Sequence, residues 1–186
     1  MLTLRNGCKV PFPEKLCEEY MLEDDRIIAN ISADKISDVM GHFICIHDEP
    51  IFFILELPSN CDDEQEIQPG IVEKLHNDVY YIDGCTIEEA LTILIRIGDL
   101  MINDGLCSFG FGGHESTDEI MFGKYNVTTI FSKSIKRYVD FMAEHDIPKA
   151  DRIITAWDTF SSKNHGSSER IYTDGKDVYS IPEMFA

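Results

Sequence analysis

Thr86-Ile87-Glu88-Glu89-Ala90-Leu91-Thr92-Ile93-Leu94-Ile95-Arg96-Ile97-Gly98-Asp99-Leu100-Met101-Ile102-Asn103-Asp104-Gly105 is the stretch on which the reading of the fold turns. Thr86 with Glu89 three residues on is a capping box, in which each side chain satisfies an orphan N–H donor at a helix start. Ile87, Ala90, Leu91, Leu94, Ile95, Gly98 and Met101 then recur at helical spacing. Asn103-Asp104-Gly105 supplies the stop. Apolar positions are so dense that this segment predicts a central buried helix.

Working outward, the sequence before it reads mostly as strand. His42–His47 and Ile51–Leu57, joined through Asp48-Glu49-Pro50, suggest a β-hairpin, and Val79–Ile82 a short strand ending at Asp83-Gly84. Pro58 through Gly70 reads as an acidic loop. The first 40 residues are irregular, with short helical candidates at Glu14–Tyr20 and Ser32–Met40.

After the helix come strand candidates at Leu106–Phe111, Glu119–Phe122, Asn126–Ser132 and Arg152–Phe160. A second amphipathic helix, capped by Ser132 or Ser134, carries Ile135, Tyr138, Val139 and Met142 and ends at Pro148. Ile171–Thr173 and Asp177–Ile181 flank Asp174-Gly175, a dipeptide suited to a type I′ hairpin turn. Strict βαβ alternation is missing. The expectation is one α+β domain over residues 1–186, with an antiparallel or mixed sheet packed on two main helices.

Charge narrows the function classes. Lys plus Arg number 16 against 34 Asp plus Glu, a formal net charge of −18. Residues 1–100 hold 21 acids and 7 bases, and residues 101–186 hold 13 and 9. Such a field repels nucleic-acid phosphates and anionic lipid and speeds encounter with basic partners. Solubility alone is the plainer use of acidity. Met1–Gly7 lacks the apolar run of a secretory leader, and the longest apolar stretches are too short to span a bilayer. Cys8, Cys17, Cys45, Cys61, Cys85 and Cys107 show no CxxC pair. Free thiols in a cytoplasmic protein are expected, with Cys45 and Cys107 as small core residues.

The densest chemistry is Gly112-Gly113-His114-Glu115-Ser116-Thr117-Asp118-Glu119. His114, Glu115, Asp118 and Glu119 could ligate a divalent metal or supply a general base. The second His of a zincin helix is missing, and a solvated hairpin loop has the same composition. Phe109–Gly113 fits neither the Walker loop nor the dinucleotide fingerprint. Ser161, Ser162 or a cysteine with His165 would be the nucleophile candidates, but GxSxG is missing too. No cofactor is expected. For partner contact the candidates are Asp48, Glu49, Asp62, Asp63, Glu64 and Glu66, which would meet Lys and Arg, and Trp157 as an aromatic anchor. Trp157 could equally serve the core.

Asp118-Glu119-Ile120-Met121-Phe122-Gly123-Lys124-Tyr125-Asn126-Val127, followed by Ile154-Thr155-Ala156-Trp157-Asp158-Thr159-Phe160, resembles small proteins of gut Firmicutes. That resemblance spans residues 80–180 and implies no activity. In general character the chain is also similar to immunity proteins that neutralise polymorphic toxins. This likeness implies an inhibitor that occludes a basic toxin or nuclease. The alternatives are a module of a larger assembly and a small metal-dependent hydrolase built on the His114–Glu119 loop; the oligomeric state is left open.

Overall fold

In the computed structural model of the chain, which describes residues 1–59, 66–69, 71, 72 and 76–185, the Thr86 box closes. Glu89 N donates to Thr86 Oγ1 at 3.2 Å, and Thr86 N donates to Glu89 Oε2 at 2.8 Å. In chain order the elements are β1 (Cys8–Lys9), β2 (Glu19–Glu23), β3 (Arg26–Asn30), α1 (Ala33–Cys45) and β4 (Ile51–Pro58). Then come β5 (Glu66–Gln68), β6 (Ile71–Val72), β7 (Asn77–Cys85), α2 (Ile87–Asn103), β8 (Ser108–Gly113) and β9 (Glu119–Phe122). β10 (Val127–Phe131), α3 (Arg137–Glu144), β11 (Ser167–Ser168) and α4 (Ile181–Met184) complete the described chain.

The fold is α+β. Seven strands form one sheet in the order β2-β3-β10-β9-β8-β4-β7, every neighbouring pair antiparallel. β1 pairs with β11, and β5 with β6, as two small ribbons. Alternation along the sheet makes β3 and β4 point the same way, so α1 is a crossover between them; α2 is the crossover from β7 to β8. The two crossovers start from oppositely directed strands and run in opposite directions across the sheet. Right-handed connections therefore put both helices on the same face. They pack there side by side, α1 against α2, β8 and β9, and α2 against β4, β7 and β8.

Alternation in β4 shows the consequence. Ile51, Phe53, Leu55 and Leu57 are buried beneath the helices with Phe109, Phe111, Ile120, Phe122 and Ile130. Phe52, Ile54 and Glu56 point to the other face and stay half-exposed. A smaller cluster of Leu2, Cys8, Leu16, Tyr125 and Ala156 closes the end of the sheet where β9 turns into β10.

Several expectations are corrected. His42–His47 is no strand arm: Ile36, Val39, Met40, Phe43 and Ile44 are the buried stripe of α1, a 3.6-residue period that runs straight through Gly41. α1 with α2 is thus the main helix pair, and α3 is a shorter element beside them. Within α2, Ile95 points to solvent and is 85% exposed, while Ile93, Ile97 and Leu100 are buried. Glu14–Tyr20 is one turn of 3-10 helix at Pro13–Lys15 followed by β2, which pairs with β3 as a hairpin. Arg152–Phe160 is no strand. Thr155 and Asp158 close a capping box over a 3-10 turn at Ala156–Thr159, because that local bond satisfies N–H groups for which no strand partner is at hand.

Asp174 and Gly175 do take the left-handed conformation, φ 51° and 75°, and Thr173 pairs with Lys176. The chain then turns into a 3-10 segment and α4, so the hairpin stops at its turn. Of the 58–70 stretch, Pro58 ends β4 and Glu66–Gln68 form β5, while residues 60–65 and 70 lie outside the described residues. Cys45 is exposed at the end of α1, whereas Cys107 is buried. Among the described residues, no helix is long and apolar enough to cross a membrane.

Candidate functional site

The loop that looked most chemical is divided by strand alternation. β9 begins at Glu119, so Asp118 and Glu119 leave the backbone on opposite sides of the sheet. Asp118 goes inward and is buried. Tyr138 OH donates to its Oδ2 at 2.7 Å, His47 Nε2 lies 3.3 Å from the same oxygen, and Arg137 Nη1 lies 3.4 Å away. His47 Nδ1 faces the Phe43 carbonyl at 2.6 Å; a carbonyl only accepts, so Nδ1 carries a hydrogen. Burial, followed by the bond to Asp118, raises the Tyr138 phenol far above its ordinary range. This network ties the end of α1, the β8–β9 turn and the start of α3 together. Asp118, His47 and Tyr138 are closed off from solvent and satisfied by one another, with the exposed Arg137 at their edge, which suits a structural lock.

His114, Glu115 and Glu119 stay outside. His114 Nε2 bonds Asp83 Oδ1, and Glu115 is exposed. The four candidate ligands therefore do not converge, and among the described residues no group of three or more His, Cys, Asp or Glu is arranged to hold a metal. Ser161, Ser162 and His165 are exposed, and His165 Nδ1 reaches only the Gly166 carbonyl.

The partner-contact candidates are scattered. Asp48 is exposed, whereas Glu49 Oε1 accepts from Ile87 N at 2.7 Å and so serves the start of α2. Asp62, Asp63 and Glu64 lie outside the described residues, and Glu66 is described only as backbone in β5. Trp157 is 54% exposed, its edge against Tyr125 and Phe160, at the opposite end of the sheet from His114.

What the sequence reading missed is the outer face of the sheet. The strand register places Met21, Ile28, Thr129, Met121, Gly110, Ile54 and Tyr81 in one row across all seven strands. The next row is Glu23, Arg26, Phe131, Glu119, Gly112 and Phe52. β8 offers only glycines to the middle of both rows. A β-carbon on Gly112 would fall 2.1–2.8 Å from the Phe52 ring, and one on Gly110 would fall 2.6 Å from Met121 Sδ. Phe52 and Met121 thus lie flat across the glycines, and Phe52 stacks on Tyr81 with ring centroids 5.1 Å apart.

β7 has two residues, Asp83 and Gly84, opposite Phe52 alone, and Gly84 sits at φ 71°. Such a bulge re-aims side chains. Here it brings Asp83 to His114, whose ring sits 5.3 Å from Phe52. The bond to His114 holds the Asp83 carboxyl below the ordinary carboxylate range.

Glu56 and Glu119 also point to this face. Burial first, and then the charge of Glu56, push the Glu119 carboxyl above its ordinary value. The Tyr81 phenol is raised by burial and by Asp83 and Glu119. Among the described residues neither Glu56 nor Glu119 has a hydrogen-bond or ion-pair partner, and Arg26 is held by Glu23 at the far side of the row. A signal was present in the sequence: Ile51-Phe52-Phe53-Ile54-Leu55 is apolar on both faces of a strand, which asks for cover on both sides.

No family model, no curated protein and no solved structure matches the chain.

Proposed function

We propose that this chain is a protein-binding module for a basic partner, its concrete form an immunity-type inhibitor that occludes a basic toxin or nuclease. The observation that carries the reading is the outer sheet face, a largely apolar row spanning seven strands with Glu56 and Glu119 flanking it, on a chain of net charge −18. Apolar contact surface with charged margins is how interfaces combine affinity with steering. The long-range field raises the encounter rate with a cationic protein, and the row of Met, Ile, Phe and Tyr side chains supplies desolvation once the two meet.

Photo-crosslinking in the native cell tests this. A benzoylphenylalanine residue is placed at Phe131 or Tyr81 on the outer face, and at Ile95 or Tyr172 elsewhere. The expected outcome is one basic protein captured from the two face positions and not from the others, with capture weakened by added salt. Capture through Ile95 or Tyr172, or of an acidic protein from the face, would overturn the proposal.

A further inference from the structure

β7 is one end of the seven-strand sheet. Ser59 N donates to the His76 carbonyl at 2.6 Å, which makes these opposite residues a hydrogen-bonded pair. By the alternation of an antiparallel ladder, Asp78, Tyr80 and Ile82 then bond β4, while Asn77, Val79 and Tyr81 turn their backbone N–H and C=O groups away from it. Among the described residues the outward groups of Val79 and Tyr81 meet no partner, and these residues are 57% and 49% exposed. The opposite edge of the sheet is closed: Tyr20 of β2 bonds the backbone of Pro148 and Ala150. We propose that the β7 edge takes an extended, cationic segment of the basic partner as an added strand. The inference rests on the binding-module reading and names how that partner attaches.

Three observations select the occupant. First, a row of outward N–H and C=O groups is answered by another strand, whereas a helix spends its backbone bonds on itself. Second, the helix side of this edge is hollow. Tyr80 and Ile82 lie opposite Leu55 and Phe53 and so share their face. A cavity of 410 Å³ opens there between Ile82, Ile93 and Phe185, and one of 140 Å³ between Tyr80, Ile82 and Pro182. An added strand sends every second side chain to that side. Third, the larger cavity is also lined by the exposed acids Asp83, Glu88 and Glu89. The Glu88 carboxylate has no partner among the described residues. A Lys or Arg can lay its apolar stem on Ile82, Ile93 and Phe185 and bring its head to these acids. A second copy of this chain would instead bring another net charge of −18 to an acidic edge.

The probe is a capped peptide alternating valine with arginine, titrated into the isotope-labelled full chain. Slowed solvent exchange is expected at the Val79 and Tyr81 amides, with saturable shifts at Ile82, Cys85 and Ile93 beside the larger cavity. The same peptide N-methylated at alternate residues cannot close the ladder and should bind about tenfold more weakly. Glutamate in place of arginine should abolish binding. Glu88→Gln should weaken the arginine peptide about threefold, as loss of an exposed ion pair does. Val79→Pro removes an outward N–H and spares the β4 ladder, and should cost about fivefold. Neither substitution breaks a hydrogen bond among the described residues.

Equal binding of the N-methylated or the glutamate peptide, exchange slowed only outside β7, or a dimer of the free chain with Val79 and Tyr81 protected would each overturn the proposal. If the arginine peptide fails while Phe131 still crosslinks a basic protein, the strand site falls and the module stands. If the peptide adds to β7 while crosslinks form only at Ile95 or Tyr172, the module falls and the strand site stands.

Discussion

Among the described residues, the Arg5 side chain makes more hydrogen bonds than any other. It is 1% exposed, and among the described residues no carboxylate forms an ion pair with it. Nε donates to the Ile102 carbonyl, Nη2 to Met101, and Nη1 to Cys107 and Gly123 at 2.8 and 3.0 Å. The carbonyls of Met101 and Ile102 belong to the last turn of α2, which lacks internal donors and carries the negative end of the helix dipole. A guanidinium is the group that can answer several of them at once. Its neighbour Cys107 is inert, since burial, only partly offset by Arg5, pushes the thiol up to about 12. Arg5→Lys keeps the charge and loses the fork. The expected cost is about 2–4 kcal/mol in urea unfolding; a loss below about 1 kcal/mol would show that water replaces these bonds. Arg5 looked unremarkable in the sequence, because its partners lie about 100 positions away.

At the scale of elements, α1 and α2 meet at Gly41. A β-carbon there would sit 3.9 Å from Leu91 Cδ2 and from Leu94 Cδ2, ordinary contact distance, and the residue is helical. Glycine in a helix interior costs roughly 0.5–1 kcal/mol relative to alanine through backbone entropy. Gly41→Ala should therefore stabilise the protein by about that amount, seen as a higher urea midpoint with unchanged slope. Destabilisation would mean that the helix pair is packed more tightly than these distances allow. The same glycine helps explain why α1 was hard to read: with Gly41 in its middle and Phe43-Ile44-Cys45-Ile46 after it, local preference favoured a strand, and packing on α2 overrode it. α2 needed no such help, because its cap and its period agree.

For the whole molecule, pH acts at the junction of α1 and α3. His42 Nδ1 lies 2.9 Å from His145 Nε2, His42 stacks on Phe141, and Glu144 is 3.5 Å from His42 Nε2. Burial first, and then the neighbouring His42, lower the pKa of His145 below its usual 6.5. A depressed folded-state value means that the unfolded chain takes up the proton first as pH falls. Stability from this group is thus complete above about pH 6.5 and is lost on acidification toward the folded value. Glu18 adds to the loss further down: despite the upward push of burial, the bonds from Lys35 and Ser32 hold it below its ordinary value. Glu119, raised, acts in the opposite sense, favouring the folded state as it protonates. His145→Gln should flatten the stability profile between pH 7 and pH 5, measured by urea midpoints at half-unit steps (roughly the width over which a usual His titrates). An unchanged slope would place the titration elsewhere.

By itself the sequence determined the fold class, the capped central helix, most of the strands beyond it and the acidic surface, since each rests on contacts between near neighbours or on composition alone. It left undecided which face of each strand would be covered. That depends on the direction in which two crossovers traverse one sheet, a property of strand order that no local period records. Only the tertiary structure sent Asp118 to a buried lock and Glu119 to an open face, although the two are adjacent in the chain. Likewise, only the assembled sheet set Phe52 and Glu119 on either side of Gly112, because strand pairing gathers residues separated by dozens of positions.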